Sequence, residues 1–254
     1  MKRVSTVALG FVLALCLLAQ SGFAAILVDR GLPTANLNND AGVDRSNVAW
    51  ADTDPALMMG DDFTLPWGFP LYHIDMIRVW VVGNGTTSFG DLFNSVSLYL
   101  RPSVGDFSLA SSTPTVTPVT YVGGANYQGY SGNYSNIYQL DYPVDITAGS
   151  ITFDFAIVGD GKTANDLAYL HASNAGLSGS TQQGSDGHVY AWKISDSYLI
   201  YDLQDYYPET WDKGSDFNVQ VFGNVVPEPT TIIIWSLFGV LGIVVGYWRR
   251  KRAA

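Results

Sequence analysis

An all-β fold, two antiparallel sheets packed as a jelly-roll-like sandwich between two apolar termini, is what this 254-residue chain predicts. Three observations carry that expectation. Apolar residues recur with period two in short runs through the middle of the chain, no stretch there carries a helical repeat, and its acids are almost all Asp. Asp favours turns and caps where Glu favours helices, so the middle is expected to be poor in helix. Hydrophobic residues make up 47% of the chain and charged ones 14%. Much of the apolar excess lies at the two ends, which leaves a polar body of roughly 200 residues, the size of one domain.

At the start, Lys2 and Arg3 precede the apolar run Val4 to Ala19, and Ser21, Gly22, Phe23 and Ala24 are suited to a peptidase site. Residues 1–24 therefore read as a signal peptide, cut by signal peptidase after Ala24, against the alternative of a retained N-terminal membrane helix. Cys16, the only cysteine, lies in this segment, so the mature chain is expected to hold no thiol and no disulfide. The ectodomain, residues 25–224, follows. Its first run holds Phe63 and Leu65. Ile77, Val79 and Val81 then share one face with Arg78, Trp80 and Val82 on the other, before Gly83, Asn84 and Gly85 supply a turn. Val96, Leu98 and Leu100 alternate with Ser97, Tyr99 and Arg101. Further runs are Val116 to Tyr121, Tyr134 to Leu140, Ile151 to Ile157, His188 to Ile194 and Phe217 to Phe222. About eight strands without helical crossovers argue for two packed antiparallel sheets. The stretch Gly159 to Gly187 breaks the rhythm and is expected to be a long connection, with a short helix near Ala164 to His171.

At the other end, Thr230 to Trp248 is almost wholly apolar and would run about 28 Å as a helix, close to the hydrocarbon thickness of a bilayer. Arg249, Arg250, Lys251 and Arg252 follow it and place the tail in the cytoplasm with the body outside. The expectation is one transmembrane helix over 230–248. Pro227, Glu228 and Pro229 stand directly before it. This order of Pro-Glu-Pro, apolar helix and basic terminus over residues 225–254 resembles the PEP-CTERM sorting signal of Gram-negative bacteria. The resemblance implies recognition and processing by a membrane exosortase at or near Pro227, Glu228 and Pro229, followed by transfer to the cell surface or extracellular matrix. It further implies association with exopolysaccharide, and it implies no activity for the body.

Charge narrows the partners. Residues 26–226 hold seven basic and twenty-two acidic residues, a net charge of −15, and twenty-one of those acids are Asp. Such a body repels phosphate backbones, so nucleic acid is not an expected partner. Asp52, Asp54, Asp61 and Asp62 crowd one segment, and Asp216 joins them if the terminal strands pair; these are the candidate calcium ligands. Asp40 and Asp44 form a second cluster. The competing reading is that these acids cap turns and keep a secreted surface soluble. Tyr121, Tyr127, Tyr130, Tyr134, Tyr138 and Tyr142 fall in a stretch rich in Gly, Asn and Ser. Exposed rings stack on sugar faces, and Tyr127, Tyr130, Tyr134, Trp192 and Trp211 are the candidate saccharide contacts, against a reading as ordinary strand residues.

Catalytic signals are weak by contrast. His73, His171 and His188 are far apart with no metal-binding spacing, and Gly176 to Ser180 does not match a nucleophile elbow. The functional expectation is a non-enzymatic, structural or adhesive surface protein, with no certain cofactor beyond the calcium candidate. The alternative is a secreted glycan-active hydrolase or lyase using Asp residues on a sandwich groove. A body that only displays its sorting signal and packs into a layer is the third.

Overall fold

Alternation decides which side of each strand turns inward, and the strands form where the apolar period is two. The computed structural model describes residues 25–33, 48–50, 57–69, 71–83, 88–102, 105–119, 127–128, 134–149, 151–163, 168–171, 173, 190–193, 199–202, 216–226 and 229–252; side chains are not described at 48–50, 57, 127–128, 134–135, 199–202 and 229–235. Fifteen strands occur among the described residues: β1 Ala25–Asp29, β2 Val48–Trp50, β3 Leu57–Thr64, β4 Tyr72–Gly83, β5 Phe93–Pro102, β6 Ser108–Ser111, β7 Thr115–Val119, β8 Tyr127–Gln128, β9 Tyr134–Ser135, β10 Ile137–Ala148, β11 Thr152–Gly161, β12 Ala168–Leu170, β13 Tyr190–Lys193, β14 Leu199–Asp202 and β15 Val219–Val225. Two helices accompany them, the single turn α1 Phe89–Leu92 and the terminal α2 Pro229–Arg252.

The strands form two main sheets and one small ribbon. The first sheet runs β1-β15-β4-β10-β7, with β12 beside β4 and β2 beside β12. The second runs β14-β13-β3-β11-β5-β6, and β8 pairs β9 alone. Their described pairings are antiparallel. One core lies between the main sheets: Ile77, Val79 and Val81 of β4, Leu140 of β10 and Val219 and Val221 of β15 face Phe63 of β3, Leu98 and Leu100 of β5 and Phe153, Phe155 and Ile157 of β11. The chain is thus an all-β protein of two packed antiparallel sheets, as the alternation predicts.

Proline and glycine sit where the sheets tolerate or demand them. Pro118 lies in β7, an edge strand among the described residues, where a missing N–H is tolerated. Gly60 of β3 lies so close to β11 that a Cβ there would strike the carbonyl of Phe155 and come 2.7 Å from Ala156 Cα.

The structure alters or narrows three readings. Ala168–Leu170, expected to lie in a short helix, is strand β12. Three residues cannot express a helical period, and the open edge of β4 recruits them: Ala168, Tyr169 and Leu170 pair with Gly83, Val82 and Val81. Tyr138 and Tyr142, which the sequence leaves open between exposed rings and ordinary strand residues, share the inward side of β10 with Leu140 and lie in the core. The third concerns the C-terminus. α2 occupies the place expected for a membrane span, but among the described residues no helix is long and apolar enough to cross a membrane. The signal segment 1–24, Asn84 and Gly85 of the expected turn, and most of the expected loop 159–187 lie outside the described residues.

Candidate functional site

Asp61 occupies an inward position of β3, two residues before Phe63, so the strand's own alternation drives a carboxyl into the space between the sheets. It is fully buried there. Its counter-ion is Arg30, the first residue after β1, whose guanidinium is 2% exposed. Nη1 of Arg30 donates to Asp61 Oδ2 at 2.6 Å and lies 3.7 Å from Asp216 Oδ1, while Nη2 lies 3.2 Å from Asp62 Oδ1. Nη2 also donates to the main-chain carbonyl of Asp62. The arginine thus grips both the side chain and the main chain of Asp62 beside the Asp61 carboxyl.

Further donors converge on the same carboxyl. The Phe217 N–H gives to Asp61 Oδ2 at 2.8 Å and the Asp62 N–H to Asp61 Oδ1 at 2.7 Å. Asn218, next along the approach to β15, uses its amide to donate to the carbonyls of Arg30 and Gly31, each at 3.1 Å. Its Oδ1 meets His171 Nδ1 at 2.8 Å, which makes that imidazole nitrogen the protonated one. The backbone closes the assembly: Arg30 N–H to Val219 O, Asn218 N–H to His171 O, Ser173 N–H to Asp216 O and His171 N–H to Trp80 O. Residues beside β1, β3, β12 and β15 are clasped at one buried point that joins the two sheets.

Electrostatics follow from this geometry. Burial pushes the Asp61 carboxyl well above the usual carboxylate range; Arg30 opposes the shift, Asp216 and Asp62 reinforce it, and the Phe217 N–H opposes it. Burial pulls Arg30 down, but Asp61, Asp216 and Asp62 outweigh it and hold the guanidinium charged.

The calcium candidates are therefore brought together in part, around a different cation. One carboxylate oxygen from each of Asp61, Asp62 and Asp216 lies within 4.8 Å of the others, a grouping with metal-ligand geometry. The charge they face in this structure is Arg30. Asp52, Asp54, Asp40 and Asp44 lie outside the described residues. Sequence reasoning missed Arg30, and the signal available was scarcity: one of seven bases in an acidic body, directly after an apolar strand. As glycosidase carboxyls Asp61 and Asp216 are poorly placed, since they are 0% and 1% exposed and a sugar ring cannot reach them through the clasp.

The aromatic candidates separate. Trp192 of β13 is 2% exposed, so its ring offers no flat face to a sugar. It packs with Phe107 edge-on at 5.0 Å and Tyr190 at 5.4 Å, under the Arg101 guanidinium at 5.4 Å from its ring centre. Asp154 holds Arg101 through Nε at 2.5 Å. Strand periodicity places Trp192 on the outer face of the second sheet, with Met58 and Ala156, where it seals a small apolar cluster. Tyr127 and Tyr134 belong to the β8–β9 ribbon, opposite Ser135 and Gln128. Tyr130, Trp211 and His188 lie outside the described residues. His73 is half-buried on the outer face of β4 with Nε2 3.0 Å from Asp75.

Of the sorting residues, Pro227 and Glu228 lie outside the described residues, and Pro229 opens α2, the helical position that needs no N–H donor. Arg249, Arg250, Lys251 and Arg252 form its last turn, where cations complement the helix dipole. No protein-family model, curated protein or solved structure matches this chain.

Proposed function

We propose that this chain is an exported, non-enzymatic surface or matrix protein, a jelly-roll sandwich sorted by an exosortase through its C-terminal segment and associated with exopolysaccharide. The observation that carries the reading is the C-terminal order: Pro227-Glu228-Pro229, the apolar run to Trp248, then four cations. Two features of the fold support it. Every described side chain of α2 from Ser236 onward is exposed, Phe238 63% and Trp248 62%, so the helix is apolar without being packed on the body. A helix of that kind requires an apolar solvent, and the upstream residues Thr230 to Trp235 extend its apolar run to the length a bilayer demands. Supporting the jelly roll, eight strands numbered along the chain (β1, β3, β4, β5, β6, β10, β11, β15) lie in the order 1-8-3-6 in one sheet and 2-7-4-5 in the other, the winding of two Greek keys.

On this reading signal peptidase removes 1–24, α2 holds the precursor in the inner membrane with the body outside, and the exosortase acts near Pro227-Glu228-Pro229. The test is expression of the full chain in cells with and without an exosortase, followed by fractionation and intact-mass measurement. With the enzyme, the body leaves the membrane fraction and loses the mass of its C-terminal helix; without it, the chain stays with the membrane. Identical fractions and masses in the two strains would refute the sorting role. Co-sedimentation of the released body with the producing cell's exopolysaccharide then tests the matrix role, and release of soluble sugar instead would favour the hydrolase or lyase.

A further inference from the structure

The turn between β3 and β4 carries the most exposed tryptophan of the described residues. β3 ends in one sheet at Thr64 and β4 begins in the other at Tyr72, so the chain between them passes from one sheet to the other at this end of the sandwich. The sequence of that crossing is Leu65-Pro66-Trp67-Gly68-Phe69-Pro70-Leu71. At its tip Trp67 is 84% exposed and Phe69 48%, while Leu65 is buried. Gly68 takes φ +107°, a conformation that a side chain would strain, and this turns the two rings outward together. The tip is braced: the Tyr72 hydroxyl donates to the Pro66 carbonyl, Phe69 meets the Tyr72 ring edge-on at 6.0 Å, and the Leu65 N–H donates to Ile151 O at 2.6 Å. A Trp held this exposed on a fixed turn presents a large apolar surface that the fold does not use.

The chain's path says what that surface meets. Val225 pairs with Tyr72, and the Val226 N–H donates to Leu71 O at 3.0 Å, so the last strand leaves the body beside this turn. α2 begins at Pro229, three Cα steps later, and the chain between them spans at most about 11 Å. The N-terminal strand starts at the same end, with Ala25 opposite Gly223 and Ile26 half-exposed. Resting on the reading that the run Thr230 to Trp248 lies in a bilayer, so short a connection holds this end of the sandwich against the headgroups.

We propose that the 66–69 turn is a lipid-contact tip, seating Trp67 and Phe69 in the headgroup region of the bilayer that holds α2. Indole and phenyl rings prefer that boundary, where an apolar body and a polar edge are both accommodated. The contact is apolar rather than electrostatic, because a body of net charge −15 is repelled by anionic lipid. Helix and tip together give the sandwich two points of attachment and so fix its tilt, which presents the Pro-Glu-Pro segment at a constant height above the membrane.

The test uses the full chain carrying Cys16→Ser, reconstituted in vesicles of phosphatidylethanolamine and phosphatidylglycerol. Single spin labels are placed through Trp67→Cys, through Val240→Cys in α2, and through Asn94→Cys at the opposite end of the sandwich, where β5 begins. Power saturation with oxygen and with a nickel chelate reads depth. The expected result is a Val240 label deep in the bilayer, a Trp67 label at the interface with oxygen favoured over nickel, and an Asn94 label in water. A deep Val240 label with the Trp67 label as water-exposed as that at Asn94 overturns the tip while leaving the anchor standing. A Val240 label in water overturns both. As a label-free measurement, brominated lipid quenches the wild-type tryptophan emission more than that of Trp67→Phe; equal quenching in the two, with α2 inserted, again overturns the tip.

Discussion

Replacing Arg30 by Met tests whether the clasp holds the sheets together. The guanidinium is 2% exposed and faces side chains of Asp61 and Asp216 that are 0% and 2% exposed, at 2.6 and 3.7 Å. Removing it leaves three carboxyl groups within 4.8 Å of one another without the cation they surround. Breaking a buried ion pair from one side costs about 3–5 kcal/mol. Losing the hydrogen bond to the Asp62 carbonyl adds about 1 kcal/mol. The sum approaches the whole stability of a small domain, about 5–15 kcal/mol. With a urea slope of about 2 kcal/mol per molar, the unfolding midpoint of the sandwich body falls by about 2 M or more. The assay is urea unfolding followed by tryptophan fluorescence and circular dichroism at neutral pH. Arg30→Lys falls between the two, since it keeps the charge but loses the fork that reaches Asp61 and the Asp62 carbonyl together. The double replacement Arg30→Met with Asp61→Leu regains more than half of the loss, because apolar groups then fill a site that no longer holds its central pair. A loss below about 1 kcal/mol for Arg30→Met, the worth of an exposed pair, would refute the reasoning. So would a double variant no more stable than the single one.

Two further outcomes follow from the same interior. The Asp61 carboxyl is raised above its ordinary 3.8 mainly by burial, so the folded chain holds this proton more tightly than the unfolded one. Its contribution to stability is complete below that ordinary value and is lost as pH rises through the raised one; titrated upward from about pH 4, wild type loses urea resistance relative to Asp61→Leu, and a gap that stays constant or moves the other way contradicts the assignment. Tyr142 buries a hydroxyl that has no hydrogen-bond partner among the described residues, so Tyr142→Phe raises stability by about 1 kcal/mol, and a comparable loss in thermal or urea unfolding would show that the hydroxyl is satisfied.

The strand faces were legible because they depend on neighbours two residues apart. Ile77, Val79 and Val81 on β4, Val96, Leu98 and Leu100 on β5, and Phe153, Phe155 and Ile157 on β11 all face the core that their alternation predicts. Tyr138, Leu140 and Tyr142 obey the same rule, and the burial of both rings settles the choice between strand residue and exposed platform that the sequence left open. β12 was not legible. Its three residues become strand because β4 offers an unpaired edge, a fact that exists only once β4 is in place.

The candidate site divides along the same line. Asp61, Asp62 and Asp216 do come together, but not through the pairing of terminal strands that the sequence suggested: β3 and β15 lie in different sheets, and the three acids meet across the space between them. That they enclose an arginine was not legible, because Arg30 is 31 residues from Asp61, and the Phe217 N–H that shares Asp61 is 156 residues away. Local order in the chain settles which stretches are apolar and which alternate, since each depends on residues within a few positions. Which charge answers which, whether a tryptophan such as Trp192 is a platform or a seal, and which end of the body carries both Trp67 and the exit to α2 depend on how the two sheets wind past one another. Their partners come from distant parts of the chain, and only the closed sandwich brings them within hydrogen-bonding or van der Waals reach.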